Sequence, residues 1–197
     1  MTRTAILFAI ALHAFAGSAQ ASDSEGRFAI EGGGAMPCAD FLDAESRGST
    51  RYEYFLGWAQ GYLTAANRYE DETFDLVPWQ NTKIISLALR GFCESNKETT
   101  LFRAVDFLAL MLRADRLDEA SDTVSIGEGA ESIVLYREVL RRAQRRLIAL
   151  GYLRGEADGI WGKATREALA AFQRKQEADP VTGLPDQATL YMLFSAR

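Results

Sequence analysis

The chain has 197 residues, of which 48% are hydrophobic and 25% are charged, a composition typical of folded globular domains. Its formal net charge is −5, which argues against nucleic-acid binding because such binding needs a basic face. The length allows one domain or two small ones.

Residues 1–21 have the organisation of a secretory signal peptide. Arg3 supplies the positive start, residues 5–16 form an apolar core too short to span a bilayer, and residues 19–21 form a small-residue cleavage site. We therefore predict an exported chain that begins at Ser22, resides in the periplasm or at the cell wall, and has no stable membrane insertion. The alternative, an uncleaved N-terminal anchor, is disfavoured by the short core.

Residues 22–37 contain three consecutive glycines and are predicted to be a flexible lead-in. Residues 38–113 are predicted to be a four-helix domain, because apolar residues recur there at helical spacing. The predicted helix starts lie near Cys38, near Arg51, at Pro78, which suits a first turn, and after a capping residue at Thr99 or Thr100.

The second helix is predicted to bury one face, formed by Phe55, Trp58, Ala59, Tyr62, Leu63 and Ala66. Gly57 and Gly61 lie one turn apart within it. Glycine costs a helix about 1 kcal/mol relative to alanine, so we expect another helix to approach closely at these positions. The alternative is that the helix simply tolerates them.

Cys38 and Cys93 are the two cysteines of the chain. An even count in an exported, oxidising compartment favours one disulfide bond between them. The alternative, a reactive or metal-binding thiol pair, fits less well because no CxxC spacing occurs. The single histidine, His13, lies inside the predicted signal, so the mature chain would have no histidine to complete a zinc site. We predict no metal and no cofactor.

Residues 38–113 also resemble small helical periplasmic proteins. The resemblance rests on Cys38, on the helix YFLGWAQGYLTAAN at residues 54–67, and on Cys93 at the end of the third helix. This arrangement is similar to the HdeA-like acid chaperones and to the Rap1a/Tai immunity proteins that neutralise wall amidases. The resemblance implies a protein partner for this domain, without a defined activity.

Residues 114–131 are polar, acidic and glycine-bearing, and are predicted to be a linker. Residues 132–197 are predicted to form three helices, the first extending back to Ser132 and ending at Gly151. The second is predicted to start near Lys163. Their predicted core residues are Leu140, Ala143, Leu147 and Leu150, then Ala164, Ala168, Leu169 and Phe172, then Leu190, Leu193 and Phe194.

The C-terminal segment resembles the peptidoglycan-binding domain found beside many cell-wall hydrolases. The residues that carry the resemblance are Gln144, Leu147, Gly151-Tyr152, Asp158-Gly159-Ile160-Trp161-Gly162, Thr165, Phe172-Gln173, Thr182-Gly183, Asp186 and Thr189. The resemblance implies a three-helix fold and peptidoglycan as the partner. Residues 177–182 depart from the usual short turn of that family.

A wall fragment would need an aromatic surface with a few polar or cationic donors. The candidate ligand-binding residues around the loop 151–162 are Tyr152, Arg154, Asp158, Trp161, Lys163 and Arg166. Trp161 is expected to be mostly core, and Asp158 is expected to shape the turn by accepting from nearby amides. Arg141, Arg142, Arg145 and Arg146 form a basic cluster on the preceding helix, either an anion-attracting surface or a solvated face.

Catalytic residues are not predicted. Histidine-dependent zinc, Cys–His and Ser–His–Asp chemistry all lack their base in the predicted mature chain. A glycan hydrolase needs only carboxylates, so a Glu- or Asp-only hydrolase stays an alternative. Glu94-Ser95 is interpreted as a solvated helix end, and the acidic residues 71–75 as a solvated loop.

We therefore predict an all-α protein with two small helical domains, one carrying the Cys38–Cys93 disulfide and one of the peptidoglycan-binding type. The predicted function is non-catalytic wall binding that anchors the N-terminal domain to murein. The alternative is a periplasmic protein-interaction factor, either an immunity factor or inhibitor of a wall amidase, or a chaperone.

Overall fold

The structure is a computed structural model that describes residues 22–127, 129 and 132–195. The predicted signal segment therefore lies outside the described residues. The described residues from Glu31 onward form one compact unit, and residues 22–30 belong to a separate one. In its described part, 22–30, the Asp23 carboxylate accepts hydrogen bonds from the amides of Glu25 and Arg27. Among the described residues, no helix combines the length and apolarity needed to cross a bilayer.

Seven α-helices and one β-hairpin make up the regular structure of the described residues. The predicted all-α class is confirmed in the main, and the hairpin is an element that the prediction lacks. The elements in chain order are α1 (Cys38–Ser46), α2 (Thr50–Tyr69), α3 (Thr82–Ser95), α4 (Leu101–Leu112), β1 (Thr123–Ile126), β2 (Ile133–Tyr136), α5 (Arg137–Ala149), α6 (Lys163–Lys175) and α7 (Gln187–Ser195). Two short 3-10 turns, Gly32–Ala35 and Arg113–Asp115, precede α1 and follow α4.

Helices α1 to α4 surround the first hydrophobic core, in which Phe41, Phe55 and Leu63 are almost fully buried. The predicted disulfide between Cys38 and Cys93 is confirmed, and it joins the start of α1 to the end of α3. Both cysteines have no exposed surface. The cross-link therefore lies inside this core and ties together its first and third helices.

Helix α3 begins at Thr82, so the predicted start at Pro78 is wrong. The side-chain oxygen of Asn81 accepts a hydrogen bond from the Ile84 amide at 3.1 Å, which satisfies one of the free amides of the first turn. Pro78 is buried in the preceding loop instead. The capping side chain, rather than the proline, determines where the helix starts.

The glycine-rich part of the predicted flexible lead-in is ordered, because Gly32–Ala35 forms a 3-10 turn that packs on α2. The indole nitrogen of Trp58 donates to the Glu31 carbonyl at 2.8 Å. A Cβ atom added at Gly34 would lie 2.0 Å from Cζ2 of Trp58. Glycine is therefore needed there to let the backbone approach the indole.

Gly57 and Gly61 serve no such purpose, and the expected close helix contact at them is wrong. Both are exposed, and a Cβ atom added at either would meet nothing within 4 Å. Helix α2 buries the opposite face, where Phe55, Ala59 and Leu63 are in the core as predicted.

Alanine substitutions at these two kinds of glycine should have opposite effects. We expect Gly34→Ala to destabilise the protein by about 2 kcal/mol, because the methyl group displaces the Trp58 ring from a filled site. We expect Gly61→Ala to stabilise it by up to about 1 kcal/mol, because it removes the helix penalty of glycine without a clash. Urea denaturation followed by circular dichroism measures both, and effects of the same sign would contradict this reading.

The predicted linker, residues 114–131, contains strand β1 of an antiparallel hairpin. The predicted extension of the first C-terminal helix back to Ser132 is wrong, because residues 133–136 form the second strand, β2. Residues of β1 and β2 pair in the register Thr123↔Tyr136 to Ile126↔Ile133. Both strands are rich in β-branched residues, which favour strands, and Ile126 and Leu135 point into the second core. Helix α5 therefore starts at Arg137, directly after the hairpin.

The hairpin and helices α5 to α7 surround the second core, which contains most of the predicted apolar residues. Leu140, Ala143 and Leu147 of α5 are fully buried, as are Leu190 and Leu193 of α7. In α6 the inward residues are Thr165, Ala168, Leu169 and Phe172. Ala164 is exposed, so its predicted burial is wrong; the neighbouring Thr165 takes the inward position.

The two cores meet along a junction within the 31–197 unit. The Trp79 ring packs on Phe194 with centroids 5.3 Å apart. The Gln187 side chain donates a hydrogen bond to the Trp79 carbonyl and accepts one from the Asn81 amide. Near the other end of the junction, the Arg142 guanidinium donates to the carbonyls of Asp115 and Arg116. These contacts link the α3 entry loop and the α4 exit to the C-terminal helices.

Candidate functional site

The loop between α5 and α6 is the segment that the sequence singles out for ligand binding. It leaves α5 through Gly151, whose φ of +78° is a left-handed conformation that suits glycine. The amides of Tyr152 and Leu153 both donate back to the Leu147 carbonyl, at 2.8 and 3.2 Å. Leu153 is buried in the second core, so the loop is anchored soon after it leaves the helix.

Gln144 on α5 holds the far end of the loop. Its Oε1 accepts from the Gly159 amide at 2.7 Å, which fixes the orientation of the side-chain amide because a backbone N–H only donates. Its Nε2 donates to Asp158, to the Ile160 carbonyl and to Thr165, at 3.0 to 3.1 Å. The side chain is 2% exposed. One buried amide therefore connects α5, the loop and the first turn of α6.

Asp158 shapes the turn, as the sequence predicts. Its Oδ1 accepts from the Ile160 amide at 2.8 Å and from Gln144. The hydrogen bond from the Ile160 amide and the one from Gln144 hold the pKa of Asp158 below its ordinary value. Gly159 follows with φ +72°, and a Cβ atom there would lie 3.0 Å from the Arg137 carbonyl oxygen. Only glycine fits this position without strain.

The lowered pKa predicts how the turn responds to acid. A carboxyl with a depressed folded-state pKa contributes stability above its unfolded pKa, and that contribution is lost as the pH falls through the folded value. The turn should therefore be insensitive to pH near neutrality and loosen only in strong acid. An NMR titration of the Asp158 carboxyl and the Ile160 amide measures this, with Asp158→Asn assigning the signals. A midpoint at or above that of an unperturbed aspartate would contradict the expectation.

A second amide repeats the arrangement one helix later. Oε1 of Gln173 accepts from the Gly183 amide at 2.7 Å, and its Nε2 donates to Thr182, Thr189 and the Leu184 carbonyl. Gln173 is 1% exposed. The α6–α7 loop is therefore tied to α6 in the same way that the α5–α6 loop is tied to α5.

The sequence carries a signal for this repeat that our sequence interpretation missed. Arg137 precedes Gln144 by the same number of residues as Arg166 precedes Gln173. Likewise, Gly159 precedes Thr165 by the same number as Gly183 precedes Thr189. In both copies the glycine packs against the carbonyl oxygen of the arginine. Comparing these spacings would have shown two helix–loop units with a common hydrogen-bond plan.

The structure spreads the six candidate ligand-binding residues around the start and end of the α5–α6 loop. Tyr152 is half-buried and meets Phe172 edge-on at 5.6 Å, and Trp161 is partly buried against the second core. Arg154 is exposed. Lys163 forms only a long, exposed pair with Glu167, and exposed Arg166 runs beside Gly183 of the other loop. Of these candidates, the cations face solvent while the two aromatics are part core and part surface.

The basic cluster on α5 is largely engaged within the protein. Arg141 and Arg145 pair with Glu138 at 2.6 and 2.8 Å, and Arg142 binds two backbone carbonyls at the junction. Burial alone would raise the pKa of Glu138, but hydrogen bonds from Arg145 and Arg141 outweigh that effect and leave it lowered. This side of α5 is therefore a network of ion pairs rather than an open basic surface.

Two surface cavities bring carboxylates together, Glu45 with Glu94 in one and Asp118 and Glu119 with Glu138 in the other. The Glu45 side chain is 13% exposed, and both of its oxygens accept hydrogen bonds from the Arg90 guanidinium. Glu94 is exposed in the last turn of α3, in keeping with its interpretation as a solvated helix end. In residues 22–127, 129 and 132–195, no group of His, Cys, Asp and Glu side chains is placed to hold a metal ion.

The segment built around the two buried glutamines matches a known family. Residues 137–193 match the model of the peptidoglycan binding domain family PG_binding_1. Residues 137–193 are a peptidoglycan-binding domain. This domain starts with α5 and ends within α7, and it includes both loops held by Gln144 and Gln173. The resemblance predicted from the C-terminal motif is therefore confirmed.

The other comparisons add little about the rest of the chain. No curated protein matches it at a significant level. Among solved structures, the chain is similar to SltB3 from Pseudomonas aeruginosa, crystallised in complex with NAG-anhNAM-pentapeptide. That match has 29% identity and a TM-score of 0.30, and covers 54% of this chain and 27% of SltB3. These comparisons do not test the resemblance of residues 38–113 to periplasmic chaperones and immunity proteins, which stays a prediction.

Proposed function

We propose that this protein is an exported, non-catalytic protein that the peptidoglycan-binding domain holds to the cell wall. The observation that carries the proposal is the α5–α6 loop, which Gln144 keeps in one conformation inside a domain of the wall-binding family. A loop that is already ordered loses little conformational entropy when a ligand binds. The proposed location is the periplasm or the cell wall.

The surface around this loop has the chemistry that murein requires. Murein offers sugar rings and N-acetyl groups, which pack on aromatic side chains, and peptide stems with carboxylates, which bind cations. Tyr152 and Trp161 are the partly exposed aromatics, and Arg154, Lys163 and Arg166 are the exposed cations. We propose that these five residues contact the ligand, while Asp158 acts by holding the turn.

A pull-down with purified insoluble wall tests the proposal. We expect the purified protein to sediment with the wall at moderate salt, and the double variant Arg154→Ala/Lys163→Ala to bind about tenfold more weakly, since two charge-assisted contacts are lost. Arg174→Ala/Lys175→Ala is the matched control, because it removes the same charge from exposed positions at the other end of α6.

Either of two results would reject this site. If the unmodified protein stays wholly in the supernatant, wall binding itself is rejected. If both double variants lose binding equally, the interaction is a general attraction of positive charge and not recognition at the α5–α6 loop.

The proposal also states that the protein does not cleave the wall. Its support is that the least exposed carboxylate described above, Glu45, is occupied at both oxygens by Arg90, whereas a glycosidase needs one carboxyl free to donate a proton. Incubation of the protein with wall, followed by chromatography of the supernatant, should release no muropeptides. Release that is lost in a Glu or Asp variant would establish a carboxylate-only hydrolase instead.

The second part of the proposed function, an interaction with a protein partner, belongs to the N-terminal helices. We propose residues 38–113 as an interaction domain that the C-terminal segment, 132–197, anchors at the wall. Its separate, disulfide-linked core supports this division. Co-purification with a wall amidase and its stoichiometric inhibition would instead favour an immunity factor, and acid-triggered binding of unfolded clients would favour a chaperone.

A further inference from the structure

The junction between the two cores contains a cavity of about 220 Å³. Helices α3 and α4 form one wall, and α7 forms the other. The large apolar residues that line it are Trp79, Ile84, Leu108, Leu112, Tyr191 and Phe194. Packed interiors hold few voids larger than a water molecule, and sites for small molecules occur preferentially where two domains meet. This space, the junction cavity, is therefore a candidate binding site.

Aromatic rings form part of the lining. The rings of Trp79 and Phe194 pack against each other with centroids 5.3 Å apart, and the half-exposed Tyr191 lies one turn before Phe194 on α7. The Trp79 carbonyl accepts a hydrogen bond from Gln187, which holds the backbone beside the ring. The faces of aromatic rings attract organic cations as well as apolar groups. This lining therefore suits an aromatic or cationic ligand.

Asp115 supplies the charge of the junction cavity. It ends the 3-10 turn that follows α4, and it is exposed. The arginines near it in the fold each pair with a different carboxylate; the pairs are Arg113–Glu70, Arg116–Asp118 and Arg142–Glu138. Within the described part of the chain, no cation forms an ion pair with the Asp115 carboxylate. The junction cavity thus combines apolar walls with an anion that is available to a ligand.

We propose that the junction cavity binds a small organic ammonium compound that carries one aromatic ring. An apolar space of roughly 150 Å³ is enough to hold benzene, so about 220 Å³ holds a ring with a short chain. The ring lies among Ile84, Leu108 and Phe194, and the ammonium group binds the Asp115 carboxylate. A charge-assisted hydrogen bond is about twice as strong as a neutral one, so this carboxylate selects a cation.

Other classes of ligand fit the junction cavity less well. An organic anion would meet the Asp115 carboxylate in a partly desolvated space, where like charges repel more strongly than in water. A metal ion needs several ligands, and no group of His, Cys, Asp and Glu side chains in the described residues is placed to supply them. The cavity shares no lining residue with the proposed wall-binding surface, so this proposal does not rest on wall binding.

NMR titration of the isotope-labelled protein with matched probes tests the proposal. The probes 2-phenylethylamine, 2-phenylethanol and 3-phenylpropionate carry the same ring with a positive, a neutral and a negative end. We expect the amine to cause saturable shifts at the Trp79 indole and the Tyr191 and Phe194 amides. Its dissociation constant should be about 1 mM, which is ordinary for so small a ligand. The alcohol should bind about tenfold more weakly, and the carboxylate more weakly still.

Two substitutions separate the charge of the cavity from its volume. Asp115→Asn should weaken binding of the amine about tenfold and leave binding of the alcohol unchanged. Asp71→Asn is the matched control, because Asp71 is exposed and does not line the cavity. Ala88→Trp should prevent binding of every probe, because Ala88 is a lining residue and the indole fills the space. Ala65→Trp, at an exposed position of α2, should leave binding intact.

Circular dichroism of each variant verifies that it is folded. Shifts that do not saturate, or that avoid the lining residues, would overturn the proposal. Equal binding of the amine and the carboxylate, equal effects of Asp115→Asn and Asp71→Asn, or equal effects of Ala88→Trp and Ala65→Trp would also overturn it. Ala88→Trp should still sediment with the wall, so this test and the test of wall binding have separate outcomes.

Discussion

Replacing Gln144 with alanine is expected to destabilise the protein by about 3 kcal/mol and to abolish wall binding. The substitution leaves the Gly159 amide, which is buried, without its acceptor, and it opens a cavity in the second core. It also releases Asp158 and Thr165 from their common donor. Chemical denaturation measures the stability, and the wall pull-down measures the binding.

Gln173→Ala is the matched control for this prediction. It removes an equally buried amide with the same kind of contacts, but from the α6–α7 loop. We expect a similar loss of stability with wall binding largely retained at temperatures where the variant is folded. If both variants lose binding to the same extent, the contribution of Gln144 is general stability and not the conformation of the α5–α6 loop.

A more conservative variant separates the two halves of the Gln144 amide. Gln144→Glu keeps an oxygen for the Gly159 amide but replaces the donor group with a second oxygen, which would face Asp158 and the Ile160 carbonyl. Repulsion between these acceptors should make this variant at least as unstable as the alanine variant at neutral pH. Stability equal to the unmodified protein would contradict the orientation assigned to the side chain.

Removing the disulfide is expected to have the other largest effect, a loss of about 4 kcal/mol in the free energy of unfolding. Cys38 and Cys93 are separated by 55 residues, and a cross-link over a loop of that length restricts the unfolded chain by about this amount. Whole domains are stable by only about 5–15 kcal/mol, so the effect is a large share of the total. Denaturation of Cys38→Ala/Cys93→Ala against the oxidised protein measures it.

The reduced but otherwise unmodified protein is the control, because it loses the cross-link without losing either sulfur atom. It should be destabilised nearly as much as the double alanine variant. Wall binding should survive in both wherever they remain folded, since the cysteines belong to the first core and the α5–α6 loop to the second. A stability change below about 1 kcal/mol would mean that the unfolded chain is already compact.

Part of the candidate site could be read from the sequence because its determinants are local. A glycine after α5, an Asp-Gly turn and the helical spacing of Leu140, Ala143 and Leu147 each depend on residues close together in the chain. The hydrogen bond between Gln144 and Gly159 joins a side chain of α5 to the far end of the loop. Neither residue by itself indicates that this bond forms. The same bond recurs between Gln173 and Gly183, so a comparison of the two segments would have indicated it.

The errors came from positions where distant packing outweighs local preference. The glycines at 32–34 match a flexible linker locally, but Trp58 covers them. Gly57 and Gly61 match a close helix contact locally, but no helix lies beside them. Residues 133–136 match the start of a helix, but pairing with β1 makes them a strand. In each case the outcome depends on whether another element packs against the residue.

By itself the sequence determined the helical class, the disulfide and the wall-binding domain, because apolar periodicity, cysteine count and an ordered motif are all properties of the chain's order. Only the tertiary structure decided which glycines are needed, where α5 starts, and that Arg141, Arg142 and Arg145 are engaged internally. It alone also placed an apolar cavity between the two cores. The physical reason is that an apolar or charged side chain is identical in sequence whether its partner is solvent, another helix or a second molecule.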